Sequence, residues 1–302
     1  MKIAKRFFFT IVLGITCSYI VSCAMVGLMK TDKDTRFLKN SLWIDEPTDQ
    51  NVQAVVILLH GLNLKPAKMD DWAHLLQNHG ALVVRFALFG HSGEKDHMSQ
   101  VDENIWRQQF HNAMLEAQSQ AQHHKVPIYF LGFSLGALVG LEWLAQQEKA
   151  PSPSISKMVL IAPAIATPWY SKAAVSFMSW FGRTLTMPSR SPKEYRANPG
   201  TSVAAYQALF ALKNSLEKTQ FKNTNIPTLL MIDKHDELVP SKSIKKIINS
   251  KRLSKWILDT VDNHFAYDNY GFRHLMVDEN AVGKTLWEEL EKKVTNHFGL
   301  TN

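Results

Sequence analysis

Cysteine is nearly absent from this sequence. Its 302 residues include two, Cys17 and Cys23, and both precede residue 30. The remainder of the chain therefore has no disulfide and no cysteine metal site, a composition that an oxidising compartment tolerates. Internal repeats and low-complexity segments are also lacking. With 45% hydrophobic residues, the chain suits one large α/β domain with its own core.

The charge pattern lacks the features of a nucleic-acid-binding protein. Formal net charge is +7, and Lys2, Lys5 and Arg6 supply three of those charges. The remaining +4 is diffuse, and no stripe of Lys and Arg interleaved with aromatic residues occurs. A basic run between residues 242 and 255 is typical of a solvated helix face, with attraction to anionic lipid as the alternative. We therefore expect no nucleic-acid partner.

The first 29 residues have the pattern of a secretory signal. A basic start precedes an uncharged apolar run from Phe7 to Met29. Within that run, Ile20-Val21-Ser22-Cys23 resembles a bacterial lipobox, which implies a lipoprotein tethered by acyl chains at Cys23. Ala24 then implies an outer-membrane lipoprotein that faces the periplasm. The alternative is an uncleaved inner-membrane anchor, because about 20 apolar residues can span a bilayer.

The most informative stretch follows an apolar run that begins near residue 127. It matches the nucleophile-elbow pattern G-x-S-x-G in the sequence Gly132-Phe133-Ser134-Leu135-Gly136. The tight strand-to-helix turn leaves no room for side chains two residues before or after Ser134, so glycine is required there. The following helix would direct its positive end at an anionic intermediate on Ser134. The alternative is an ordinary helix start, with Gly136 and Gly140 packed on a neighbour.

Apolar runs alternate with amphipathic segments after residue 50, and residues 30–50 form a polar tether. This alternation predicts a mostly parallel sheet with helices on both faces. The predicted strands are 52–59, 81–89, 154–163, 226–232 and 255–262, besides the strand that enters the elbow. The predicted helices are 68–78, 104–122, 203–216 and 282–298, besides the helix that leaves the elbow.

From residue 51 to residue 300 the chain resembles α/β hydrolases of the monoacylglycerol lipase, lysophospholipase and carboxylesterase type. His60-Gly61, at the end of the first predicted strand, resembles their oxyanion loop. The resemblance implies that the N–H groups of Leu62 and Leu135 form the oxyanion hole. His91, which follows Gly90, resembles part of their Gly-His-Gly-x-Ser turn and is interpreted as structural.

Residues 165–222 interrupt the alternation and resemble the helical cap of these hydrolases, particularly over residues 192–206. We call residues 165–222 the cap segment. Its aromatic and methionine side chains predict an apolar acyl pocket, and we expect two or three of them to reach it. The candidates are Trp169, Tyr170, Phe177, Met178, Trp180, Phe181 and Met187.

The triad acid is expected just beyond the strand predicted at 226–232. Asp236 fits the position that the resemblance implies, Asp233 is the alternative, and Glu237 is interpreted as a surface residue. Two histidines compete for the base. His274 resembles the catalytic histidine of the family and is favoured, whereas His264 lies nearer the end of the last strand.

The order Ser134, Asp236, His274 is that of α/β hydrolases. It implies a serine hydrolase that cleaves carboxylic esters of lipid-like or acylglycerol substrates through an acyl-enzyme. One alternative is a peptidase like the prolyl aminopeptidases, which needs an acidic site for the substrate amine. Another is a non-catalytic lipid-binding lipoprotein. No cofactor and no metal is implied, because His123-His124 has no obvious third ligand.

Overall fold

The computed structural model describes residues 41–43, 52–147 and 154–300. The predicted signal, including Cys23, and most of the predicted tether lie outside these residues. Within the described ranges, no helix combines the length and the apolar character needed to cross a bilayer.

The described residues are organised around a seven-stranded sheet. Its strands and those of a separate two-stranded ribbon are, in chain order, β1 (Ser41–Trp43), β2 (Ala54–Leu59), β3 (Ala81–Phe86), β4 (Ile128–Phe133), β5 (Ile155–Ile161), β6 (Thr186–Pro188), β7 (Gly200–Ser202), β8 (Thr228–Asp233) and β9 (Trp256–Val261). The sheet order is β1-β3-β2-β4-β5-β8-β9, and β6 pairs with β7. Only β1 is antiparallel to its neighbour within this sheet. The expected mostly parallel sheet is therefore confirmed.

Helices connect the parallel strands and cover the sheet. They are α1 (Asp70–Asn78), α2 (Lys95–Gln100), α3 (Glu103–His124), α4 (Leu135–Gln146), α5 (Ser171–Met178), α6 (Val203–Lys218), α7 (Ser241–Ser250), α8 (His264–Tyr270), α9 (Glu279–Val282) and α10 (Lys284–Phe298), with 3-10 turns at Pro66–Met69 and Ser179–Phe181. Every residue of β2, β3, β4 and β8 is buried. This explains why these strands are largely apolar rather than alternating, with Arg85, Thr228 and Asp233 as the exceptions.

The loop predicted after the last strand contains a helix that the sequence analysis missed. Helix α8 begins where the side chain of Asn263 accepts a hydrogen bond from the N–H of Ala266 at 3.1 Å. Asn263 is a favoured N-cap residue, but the helix that it starts is only seven residues long and has a single buried side chain, Ala266. Such a short segment lacks the apolar periodicity on which a sequence-based prediction depends.

The cap segment contains α5, β6, β7 and α6. It is fastened to the loop after β2 through Asn63, whose side chain pairs with the backbone of Asn198. Asn63 Oδ1 accepts from the N–H of Asn198 at 2.8 Å, and Asn63 Nδ2 donates to its carbonyl at 3.1 Å. The Nδ2 group of Asn198 in turn donates to the carbonyl of Gly90 at 2.8 Å. One buried polar cluster therefore joins the cap segment to the loops after β2 and β3.

Candidate active site

Ser134 lies on the sharp turn between β4 and α4. Its backbone has φ 51° and ψ −110°, a conformation that non-glycine residues rarely adopt. The N–H of Ser134 donates to the carbonyl of Ile161 at 2.9 Å, and its own carbonyl accepts from Ala164 at 3.0 Å. The hydroxyl does not cap the helix that follows. The turn therefore holds the Ser134 hydroxyl free for another partner.

The two glycines of the elbow are needed because backbone atoms approach them closely. A Cβ at Gly132 would lie 2.7 Å from the backbone of Ala137, and one at Gly136 would lie 2.4 Å from the carbonyl oxygen of Leu59. The second contact places the start of α4 directly against the end of β2. Close packing, rather than a positive φ, is the reason for glycine at both positions.

The structure brings His274 and Asp236 to Ser134. His274 Nε2 lies 3.0 Å from Ser134 Oγ, and its Nδ1 lies 2.7 Å from Asp236 Oδ2. The side chain of Asp236 is fully buried, and its other oxygen accepts the N–H groups of Leu238 and Val239, both at 2.8 Å. Since a carboxylate only accepts, Nδ1 of His274 carries the proton, and Nε2 is left to accept from the serine hydroxyl.

The proposed oxyanion groups flank Ser134. Leu135 is the first residue of α4, so its N–H is one of those that no helix carbonyl can satisfy. Leu62 lines the same cavity as Ser134. A Cβ at Gly61 would lie 3.3 Å from Cβ of Ser134, so the loop after β2 packs directly against the serine. Leu62 and Leu135 therefore both lie close to Ser134.

Two buried histidines form hydrogen bonds with the loops after β2 and β3. His60 Nε2 accepts from the N–H of Leu88, and His91 Nε2 accepts from the N–H of Asn63, both at 3.0 Å. Their rings meet edge to face, with centroids 4.5 Å apart. Burial lowers the pKa of His91 to about 4 and the pKa of His60 well below its usual value, so both rings are neutral acceptors. His91 is therefore a structural residue of the loop, as the sequence analysis interprets it.

Glu237 is not merely a surface residue, and that interpretation is wrong. Its carboxylate accepts the N–H of Arg273 at 3.0 Å to each oxygen and the N–H of His274 at 3.2 Å. Two consecutive carboxylates thus hold the histidine: Asp236 binds its ring and Glu237 binds its backbone. The sequence carries no local signal for this, because the partners are more than 35 residues apart.

Neither alternative residue reaches Ser134. His264 is largely exposed; its Nε2 lies 2.9 Å from Asp262 Oδ2, and its Nδ1 accepts from Arg273 at 3.3 Å. It lines a separate cavity of about 570 Å³ that contains neither Ser134 nor His274. Asp233 is buried at the end of β8, where its carboxylate accepts the N–H groups of His235 and Asn263 and so joins the ends of β8 and β9.

A cavity of about 390 Å³ opens beside Ser134 and His274. Of the cap-segment candidates named from the sequence, three line it: Tyr170, Met178 and Met187. Two charged side chains, Arg190 and Glu237, also reach it. Most of the remaining lining is apolar and includes Leu62, Phe133, Leu209, Phe210, Phe272 and Leu275.

A model of the family described as serine aminopeptidase, S33, matches residues 50–263, which is more than half of the chain. The chain belongs to this α/β-hydrolase family. No curated protein sequence matches the hydrolase significantly.

Solved structures with the same fold include lipases and esterases. A soluble variant of the monoglyceride lipase from Saccharomyces cerevisiae, in complex with a substrate analogue, is 14% identical with a TM-score of 0.67, over 87% of this chain and 92% of that chain. A monoacylglycerol lipase from Paleococcus ferrophilus is 15% identical with a TM-score of 0.58, over 85% and 98%. A metagenome-derived lipolytic enzyme is 16% identical with a TM-score of 0.65, over 86% and 97%. These similarities confirm the fold of the hydrolase.

The hydrogen bonds that Glu237 accepts from the backbone N–H groups of Arg273 and His274 lead to a testable prediction. We expect Glu237→Ala to lower kcat for a chromogenic ester about tenfold with little change in KM, because the imidazole loses its fixed position. Glu237→Gln keeps one acceptor and should retain more activity. Glu217→Gln, at an exposed carboxylate of α6, is the matched control. A wild-type kcat for Glu237→Ala would show that the two N–H contacts do not position the base.

The neutral His91 predicts a pH dependence of stability. Its folded pKa of about 4 lies below the value of about 6.5 expected in the unfolded chain, so between those values the unfolded chain binds more protons. The contribution of neutral His91 to the free energy of unfolding is fully present above pH 6.5 and is lost as the pH falls towards 4. Between pH 7 and pH 5, the free energy of unfolding of wild type should decrease by about 2 kcal/mol more than that of His91→Gln. Urea titrations at both pH values measure this difference, and equal decreases would contradict it.

Proposed function

We propose that the chain is a serine hydrolase that cleaves carboxylic esters of lipid-like or acylglycerol substrates. The single observation that carries the proposal is the contact of 3.0 Å between His274 Nε2 and Ser134 Oγ, with Asp236 bound to the other ring nitrogen. Such an arrangement activates a serine that would otherwise be a weak nucleophile.

In the proposed reaction, Ser134 Oγ attacks the ester carbonyl carbon while His274 Nε2 takes the hydroxyl proton. The oxyanion accepts the N–H groups of Leu62 and Leu135. Collapse of this intermediate breaks the bond to the alcohol, which leaves with the proton from His274. A water molecule, deprotonated by His274, then releases the acid from Ser134 by the same sequence. By precedent, each oxyanion donor lowers the barrier by about 3 kcal/mol.

The cavity favours an acyl chain as the group bound beside Ser134. Sixteen of its 26 lining residues are apolar, and 12 of these are Leu, Phe, Met or Val, a surface that suits hydrocarbon. Monoglyceride and monoacylglycerol lipases share the fold. We therefore place acylglycerol-like esters ahead of peptides as the substrate class.

A peptidase acting at an N-terminal amine needs a free acidic group near the serine. Glu237 is the carboxylate that lines the described cavity apart from the triad, and both of its oxygens already accept backbone N–H groups. An amine would have to displace those bonds. This argues for the esterase over the aminopeptidase that the family description mentions.

Labelling with a fluorophosphonate tests the proposed triad. Wild type and His264→Ala should be labelled at similar rates, because His264 does not reach Ser134. Ser134→Ala should take no label, and His274→Ala should react at least about 10³-fold more slowly for want of a base. Loss of labelling in His264→Ala but not in His274→Ala would overturn the assignment of the base. A folded wild type that takes no label would favour the non-catalytic lipid-binding alternative.

We also propose that the enzyme is held at a membrane through its N-terminus, as a lipoprotein acylated at Cys23. The proposal rests on the lipobox-like Ile20-Val21-Ser22-Cys23 and the basic and apolar residues before it. In a bacterial host, wild type should incorporate labelled fatty acid, and Cys23→Ser should not, whereas Cys17→Ser should incorporate as much as wild type. Equal labelling of wild type and Cys23→Ser would overturn this proposal.

A further inference from the structure

Half of the large exposed apolar side chains in the described residues belong to one short stretch of the cap segment. Trp169 is 91% exposed and Trp180 is 81% exposed, and the other three are Tyr170, Phe177 and Phe181. We call these five residues the aromatic face. Monomeric soluble proteins rarely expose contiguous apolar patches of this kind, and such patches mark interaction surfaces.

The aromatic face lies at the two ends of α5. Trp169 and Tyr170 immediately precede the helix, with ring centroids 5.9 Å apart. Phe177 lies in its last turn, and Trp180 and Phe181 lie in the 3-10 turn that continues it. The ring centroids of Phe177 and Phe181 lie 5.6 Å apart. Val175 is the only buried residue of α5.

The charged residues in the chain stretch that carries the aromatic face are all basic. No Asp or Glu occurs from residue 149 to residue 193, whereas Lys172, Arg183, Arg190 and Lys193 lie within the second half of that stretch, and all four are exposed. One acidic side chain, Glu103 of α3, lines a groove beside α5 together with Lys172 and Arg183. Exposed tryptophan among basic residues suits the interface of an anionic membrane, where aromatic rings enter the headgroup region.

The same helix forms part of the active-site cavity. Tyr170, Ser171, Ala174, Val175 and Met178 all line the cavity that contains Ser134. Trp169, Phe177, Trp180 and Phe181 do not, so they project away from it. A surface bound to the aromatic face would therefore lie next to the part of the cap segment that borders the cavity.

We propose that the aromatic face docks on an anionic lipid bilayer and brings the rim of the cavity to the membrane surface, so that acyl esters enter Ser134's pocket from the bilayer. This rests on the proposed ester hydrolase function and names the source of its substrate. The contact is separate from any N-terminal attachment, which would hold the chain near the membrane without orienting the cavity.

Fluorescence quenching tests docking without depending on catalysis. The full chain carrying Ser134→Ala is mixed with vesicles of phosphatidylglycerol and brominated phosphatidylcholine, in which bromine quenches inserted tryptophan. We expect a quenched fraction that is lost when Trp169→Phe and Trp180→Phe are added, since these changes remove the reporters and keep the face apolar. Vesicles without phosphatidylglycerol should give less quenching. Quenching that is unchanged in the phenylalanine variant would overturn the proposal.

Kinetics tests the link to substrate entry. In the active full chain, Trp169→Gln with Trp180→Gln should lower turnover of a monoacylglycerol held in vesicles at least about tenfold. Turnover of a water-soluble short-chain ester should stay at the wild-type rate, because neither tryptophan lines the cavity. The matched control is Leu115→Gln, at a residue of α3 that is 52% exposed, and it should change neither rate.

The outcomes separate this proposal from the one on which it rests. If wild type turns over neither ester while its tryptophans are quenched, the ester hydrolase proposal fails and the lipid contact stands. If the glutamine variant loses both activities equally, or neither, the aromatic face does not deliver substrate. If quenching is absent and wild type self-associates through these tryptophans, the face is a protein interface, and docking on lipid is wrong.

Discussion

The backbone conformation of Ser134 is the constraint on which the rest of the site depends. A serine at φ 51° is strained by about 1 to 3 kcal/mol, and it persists because the surrounding structure leaves it no alternative. Hydrogen bonds to Ile161 and Ala164 hold its two peptide groups. The carbonyl of Leu59 occupies the space that a side chain at residue 136 would need, so glycine lets the start of α4 pack directly against the end of β2. This backbone conformation keeps the Ser134 hydroxyl away from the N-terminus of α4 and available to His274.

Around this turn, the site is held by side chains that bind backbone rather than substrate. His60 and His91 accept N–H groups from the loops after β3 and β2, and Asn63 joins the second of these loops to the cap segment. Glu237 does the same for the loop that carries His274. Such groups are effective because they are buried or half-buried, where a hydrogen bond to an otherwise unsatisfied N–H is costly to lose. Because these contacts fix the loops, only a few side chains are needed at the reacting atoms.

The cap segment presents two different surfaces. Towards the body it offers mainly small and apolar side chains to the cavity beside Ser134. Away from the body it presents the aromatic face, of which Tyr170 alone also borders the cavity. A helix that separates an apolar pocket from water would ordinarily be polar on its outer side. Its aromatic outer side is understandable if the surroundings are lipid, and this is why docking of the cap segment and delivery of the substrate belong to one proposal.

Features that depend on near neighbours along the chain can be read from the amino-acid sequence. The elbow around Ser134, the continuous apolar strands and the alternation of strands with helices are patterns of a few residues, so the fold class followed from them. Tertiary structure decided which distant side chains meet. His274 rather than His264 faces Ser134, across 140 positions of the chain. Glu237 binds backbone N–H groups that lie more than 35 residues away. Which side chains at α5 reach the cavity and which face outward is set by how the helix packs on the body. Contacts across such separations depend on how strands and loops are arranged in space, which no local pattern records.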